Sequence, residues 1–163
     1  RSMGRTASGV RGIKLTDNKD EVVGMVCVED FSKTILVVSE KGYGKRTYLN
    51  DPESNDPIYR ITNRGGKGVK TLTVTDKTGA LVAIKVVTDE DDLMIINKSG
   101  IAIRMHVSNI RTQGRATQGV KLINLRGNDE IAAVAKVEKD DEEEPLNDAE
   151  NDSGKEIDNE NVE

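Results

Sequence analysis

Aromatic residues are almost missing: the 163-residue chain holds one Phe, three Tyr and no Trp. A core must therefore be built from Val, Ile, Leu and Met, and β-branched side chains of this kind suit the packed faces of sheets. Cysteine is as scarce. The single Cys27 excludes an internal disulfide, and inside the apolar run 22–28 it is expected as a small buried hydrophobe in a reducing compartment. One histidine, His106, excludes a His/Cys metal cluster and is expected half-buried on a strand. Asp89-Glu90-Asp91-Asp92 has no companion histidine or nucleophile in the sequence around it, so it reads as a solvated turn, and no acid–base pair or triad emerges. No stretch nears the roughly 18 apolar residues of a membrane span, and no basic-then-apolar leader opens the chain. A soluble, cytoplasmic protein without membrane contact is expected.

Charge is present in both signs but sorted along the chain. The formal net charge is −5, yet residues 1–137 hold 22 Lys+Arg against 16 Asp+Glu, and residues 138–163 hold 2 against 13. The acidic balance thus describes neither part. The stretch beginning Glu138-Lys139-Asp140-Asp141-Glu142-Glu143-Glu144 has too few apolar residues to offset ordering entropy, and it reads as a disordered acidic tail. Two regions are expected: a folded body at 1–137 and the tail at 138–163. Tethered to a basic body, such a tail competes intramolecularly with any polyanionic ligand.

The body repeats. Gly9-Val10-Arg11-Gly12-Ile13-Lys14-Leu15 lies 59 positions before the unit that starts at Gly68, and Gly119-Val120-Lys121-Leu122-Ile123-Asn124-Leu125 lies 51 positions after it. An upstream unit also recurs, since Ile35-Leu36-Val37-Val38-Ser39-Glu40-Lys41-Gly42-Tyr43-Gly44-Lys45-Arg46 aligns with Leu93-Met94-Ile95-Ile96-Asn97-Lys98-Ser99-Gly100-Ile101-Ala102-Ile103-Arg104. Both read as hairpins. A closing apolar run follows each Gly-Val unit, at 22–28, 81–87 and 131–137, and suits a strand covered on both faces. Helical periodicity of useful length is missing from 1–137. Each repeat thus offers about four strands, and the expected fold is all-β: a partial, propeller-like array of four-stranded blades stacked face to face. The loop Asn50-Asp51-Pro52-Glu53-Ser54-Asn55-Asp56-Pro57 is an exposed excursion. The first residues fall where the other copies already have a hairpin behind them, so the chain reads as a fragment that begins inside a repeat.

Basic residues gather at loop–strand junctions: Arg5 and Arg11; Lys45 and Arg46; Arg60, Arg64, Lys67 and Lys70; Arg104; Arg111, Arg115 and Lys121. Any one of them taken alone is a solvated surface charge. Repeated at equivalent positions, they form a row that matches a phosphate backbone. Arg64-Gly65-Gly66-Lys67-Gly68 can present N–H groups and cations together. It is no nucleotide P-loop, because Lys67 is followed by Gly68 rather than Ser or Thr and Ile61 holds the required upstream glycine position.

Met3-Gly4-Arg5-Thr6-Ala7-Ser8-Gly9-Val10-Arg11-Gly12-Ile13-Lys14-Leu15, Gly42-Tyr43-Gly44-Lys45-Arg46-Thr47 and Gly114-Arg115-Ala116-Thr117-Gln118-Gly119-Val120 resemble the C-terminal domain of the bacterial DNA gyrase A-subunit, over about 1–137. The resemblance implies a β-pinwheel whose rim wraps double-stranded DNA in support of ATP-dependent negative supercoiling. The family's signature, the gyrase A box, reads Q-R-R-G-G-K-G. Thr62-Asn63-Arg64-Gly65-Gly66-Lys67-Gly68 matches its last five positions and departs at Thr62 and Asn63. This copy sits in the next-to-last repeat, whereas the box belongs to the first blade, so it reads as a box-like copy. The resembled enzyme is an A2B2 type II topoisomerase, in which the partners are the gyrase B-subunit and a second A-subunit. ATP and Mg are expected elsewhere in it, none of Tyr43, Tyr48 or Tyr59 reproduces its catalytic tyrosine motif, and no cofactor or metal is expected in this chain. Two other readings stand beside it: the related domain of the topoisomerase IV A-subunit, usually without a complete box, and a non-enzymatic propeller-type interaction scaffold.

Overall fold

Two hairpins form where an apolar, Ile- and Val-containing run leads into a short glycine turn, and the remaining strands assemble on them. In the computed structural model, which describes residues 2–137, the strands are β1 (Thr34–Ser39), β2 (Tyr43–Tyr48), β3 (Leu81–Val87), β4 (Asp92–Asn97), β5 (Ala102–His106), β6 (Val120–Lys121) and β7 (Ile131–Val137). A single 3₁₀ turn, Val107–Asn109, follows β5. The strands form two antiparallel sheets, ordered β3-β1-β2-β6 and β5-β4-β7. The hairpins share one register: Leu36 faces Arg46 as Met94 faces Arg104. Even the pairing irregularities coincide, at Val38/Ser39 and at Ile96/Asn97. The all-β, blade-stacking expectation holds.

Alternation along β1 sends its residues to two cores. Leu36 and Val38 join Val87, Leu93, Ile95, Val107, Ile110, Ile131 and Val134 in one cluster that spans the two sheets. Ile35 and Val37 pack on the opposite face with Leu49, Leu72 and the half-buried Val26, Val28 and Tyr59. The first sheet is therefore covered on both sides. As the composition requires, the fully buried apolar side chains are Ile, Leu and Val.

The blade does not take its four strands from one repeat. Closing run β3 pairs with β1, but the strand beyond β2 is β6, which belongs to the following Gly-Val unit. That exchange needs close approach. A Cβ on Gly44 would lie 2.5 Å from Leu122 Cδ1 and 2.8 Å from the Val37 oxygen, and one on Gly119, at φ +82°, would lie 2.6 Å from the Gly44 oxygen. Glycine at both positions lets the backbones touch.

Three expectations are corrected. Residues 22–28 form no strand, because a closing run pairs with the first strand of the hairpin upstream in its own repeat and no such hairpin precedes 22–28 among the described residues; Cys27, with Val22, Val23 and Met25, is consequently exposed. Asp91 and Asp92 are buried rather than solvated, whereas Asp89 and Glu90 are exposed. His106 is exposed, and its Nδ1 lies 2.5 Å from the buried carboxylate of Asp92, which also accepts from Arg104 Nε at 2.7 Å. The Arg104 hydrogen bond holds the Asp92 carboxyl below its ordinary value against the opposing effect of burial, with His106 helping. Residues 52–57 form the expected exposed excursion, turned by Asp51 Oδ1, which accepts from the amides of Glu53 and Ser54 at 3.0 Å.

Candidate nucleic-acid interface

Successive Gly-Val units are stitched to one another by the same bond. The Lys14 amide donates to the Gly66 oxygen at 2.9 Å, and one repeat later the Thr73 amide donates to the Thr117 oxygen at 3.2 Å. Gly65 N–H adds a bond to the Gly12 oxygen at 2.8 Å, Ile13 bridges Gly66 in parallel, and Thr73 Oγ1 donates to the Ala116 oxygen at 2.5 Å. The segment after Gly-Val in each unit therefore lies against the loop of the next, but of the strands expected there only β6 forms; 10–15 and 69–74 make isolated bonds instead of a ladder. Gly65 and Gly68 sit at φ +76° and +75°, so the box-like loop adopts the left-handed backbone that its glycines permit.

This stitching aligns cations that are far apart in sequence. The repeat offsets make Arg5, Arg64 and Arg115 equivalent, and likewise Arg11, Lys70 and Lys121. Arg5, Arg11, Arg60, Arg64, Lys67, Lys70, Arg111 and Lys121 are all exposed. Among the described residues, the ion pairs engage none of these eight. Arg115 is half-buried, and its Nη1 donates to the Lys70 oxygen, which ties the two ladders together. Arg104 is exposed but paired with Asp92.

Lys45 and Arg46 are placed differently from the rest. Expected on the rim, Lys45 is completely buried and Arg46 is 7% exposed, because β6 and the segment before it cover β2. The Arg46 guanidinium is also paired with Asp89. The signal for this was in the alignment of the hairpins, where the position equivalent to Lys45 is Ile103, a half-buried residue packed against the main core.

Periodicity also overlooked two cations. Lys41 and Lys77 line a cleft of about 530 Å³ with Tyr43 and Lys121; the Lys77 ammonium lies 5.5 Å from the Tyr43 ring centre, within cation–π range, and Lys41 Nζ donates to the Asp76 oxygen. Their equivalents in the next repeat are Ser99 and Asn128, so neither recurs. Glu130 and Asp129 also line the cleft but are engaged by Lys98 and Ser99.

Stacked antiparallel blades that exchange a strand between repeats, with cations recurring on the connecting loops, define a propeller-like module of the pinwheel class. The chain belongs to the family described as DNA gyrase C-terminal domain, beta-propeller, whose model matches residues 1–29, 33–51, 59–88 and 91–138. It is 49% identical over 145 residues to the DNA gyrase A-subunit of Staphylococcus aureus, in strain MRSA252 and equally in strain NCTC 8325, an alignment that covers 88% of this chain. The chain spans 15–16% of the length of these curated relatives. Among solved structures, a DNA gyrase A C-terminal domain matches with a TM-score of 0.52 and 27% identity over 63% of this chain and 33% of that one. The C-terminal domain of DNA topoisomerase IV matches in fold, with a TM-score of 0.69 and 21% identity over 80% of this chain and 38% of the other.

Proposed function

We propose that this chain is a DNA-binding and DNA-wrapping module of a type II topoisomerase of the gyrase kind, and that it contributes to ATP-dependent supercoiling without carrying a catalytic residue. The observation that carries the reading is the pair of cation ladders, Arg5/Arg64/Arg115 and Arg11/Lys70/Lys121, set on equivalent loops that hydrogen-bond to one another. Regular spacing of positive charge along a rigid scaffold suits a duplex backbone, and phosphate contacts position without reading sequence. Arg60, Lys67 and Arg111 extend the track. Within the box-like loop, Arg64 and Lys67 supply charge while Gly65, Gly66 and Gly68 let the backbone approach a phosphate.

The gyrase reading is favoured over topoisomerase IV by the family match and by the 49% identity; the likeness to topoisomerase IV is one of fold. A protein-interaction scaffold would need no such recurrence of cations. In the resembled enzyme the partners are the B-subunit and a second A-subunit in an A2B2 assembly, acting in the cytoplasm, with ATP and Mg bound elsewhere. The module is assigned to 1–137; the acidic segment 138–163, read as disordered from its composition, lies outside the described residues.

A salt titration of duplex binding tests the reading. If each of the six ladder cations neutralises one phosphate, log K falls against log salt with a slope of about −5. Weak binding with no salt dependence would refute it.

A further inference from the structure

Three consecutive residues of β2 grip the segment that leads from the second hairpin to β6. Lys45 Nζ donates to the Gly114 oxygen at 2.6 Å, to the Arg115 oxygen at 2.5 Å and to Thr117 Oγ1 at 3.2 Å. An ammonium has three donors, so this one is fully used, and it is fully buried. Arg46 Nε donates to the Ile110 oxygen at 2.7 Å, and its own backbone oxygen accepts from the Gln113 amide at 2.8 Å. Thr47 Oγ1 completes the grip by donating to the Gln113 oxygen at 3.0 Å. Arg111 is held on both sides, at Ile110 and Gln113, and itself stays exposed.

We infer that Lys45 and Arg46 are positioning residues that clasp segment 110–117 and so present Arg111 and Arg115 to the phosphate backbone, rather than phosphate ligands themselves. The inference rests on the DNA-binding reading above. A buried lysine next to an arginine is costly: burial, and then the charge of Arg115, pull the Lys45 ammonium down to about 8. The second hairpin supports the assignment by contrast. Among the described residues no strand lies beyond β5, the counterpart of Lys45 is Ile103, and the counterpart of Arg46 is the exposed Arg104. The clasp occurs where the next repeat docks.

The test uses the full chain with Lys45→Met, which keeps the apolar stem and removes the donors, and Thr47→Val, which removes a single bond and spares the charge. Trypsin cleavage after Arg111 and Arg115 is followed without DNA, and duplex affinity is measured in the wild-type and Arg111→Ala/Arg115→Ala backgrounds. The clasp predicts at least tenfold faster cleavage at these two sites in K45M, with the other sites unchanged, and a smaller acceleration in T47V. It also predicts a severalfold loss of affinity in K45M that vanishes in the double-alanine background, because Lys45 then has nothing to present. Loss by the same factor in both backgrounds would mean that Lys45 touches DNA or supports the fold at large, and would overturn the proposal. If K45M does not fold, unchanged cleavage in T47V overturns it equally. A wild-type chain that binds no DNA would overturn the DNA reading, while cleavage still decides the clasp.

Discussion

Hairpin β1–β2 lies inside a four-stranded sheet, whereas β4–β5, which matches it in register, borders a three-stranded one. The first strands behave alike, with β1 buried throughout and β4 nearly so. The second strands do not: β2 is buried over its centre, while β5 alternates between exposed and half-buried. The arginine pairs invert with them. In the first blade the arginine is buried and its partner Asp89 exposed; in the second, Arg104 is exposed and Asp92 buried. What separates the blades is the strand lent by the following repeat. Sequence within a hairpin sets the pairing, and a neighbour in space decides which of its side chains face water.

The strongest way to break the comparison is to remove what the blades share. Leu36→Ala opens a cavity between the two sheets and is expected to cost about 2–5 kcal/mol, read as a lowered denaturation midpoint. A single cooperative transition for the variant supports the shared core, and a first blade that melts while the second stays intact would contradict it.

A more selective break is Gly44→Ala. Its Cβ would collide with Leu122 and the Val37 oxygen, at an overpacking cost of about 1–3 kcal/mol. The first sheet should lose β6 and come to resemble the second. Hydrogen exchange should then lose protection at Val120 and Leu122, with protection of the β4–β7 pairing kept.

Titration sharpens the contrast, because each blade buries a group of opposite sign. Asp92 is depressed in the folded state, so its stabilising contribution is complete above the unfolded carboxyl value and is lost as pH falls through the folded one. Asp92→Asn should flatten the acid limb of a stability–pH curve. Lys45 is also depressed, to about 8 from 10.5, but for a base the unfolded chain then holds the extra proton between those values. Stability should rise with pH across that window, and Lys45→Met should abolish the rise.

The smallest effect is expected of Ala102→Gly, at the position equivalent to Gly44. Ala102 is exposed, no strand among the described residues lies on the side of β5 away from β4, and only the greater chain entropy of glycine is at stake, about 0.5–1 kcal/mol. A larger loss in thermal denaturation would show that the β5 edge is packed after all.

The hairpins were legible because their cues are local: an apolar run before Lys41-Gly42 and before Ser99-Gly100, and a second run after each. The ladders were legible too, since Arg5, Arg64 and Arg115 keep the repeat offsets. The exchange of β6 onto β2 was not, for Tyr43 and Lys121 pair across a long stretch of chain that leaves no periodic trace. Without that pairing Lys45 reads as one more surface cation, and Cys27 as a core residue. Asp92 was misread for a similar reason: its partners Arg104 and His106 come from the opposite strand, while its sequence neighbours are acidic.

The central claim is that the aligned ladders contact DNA phosphates. Arg11, Lys70 and Lys121 are exposed and belong to no ion pair among the described residues, so replacing all three with Ala should leave stability nearly unchanged. Duplex binding measured against salt decides the matter. Three lost phosphate contacts should make the slope of log K against log salt shallower by about 2.7, with the loss independent of duplex sequence. A triple variant that folds as the wild type does and keeps both its affinity and its slope would contradict the account.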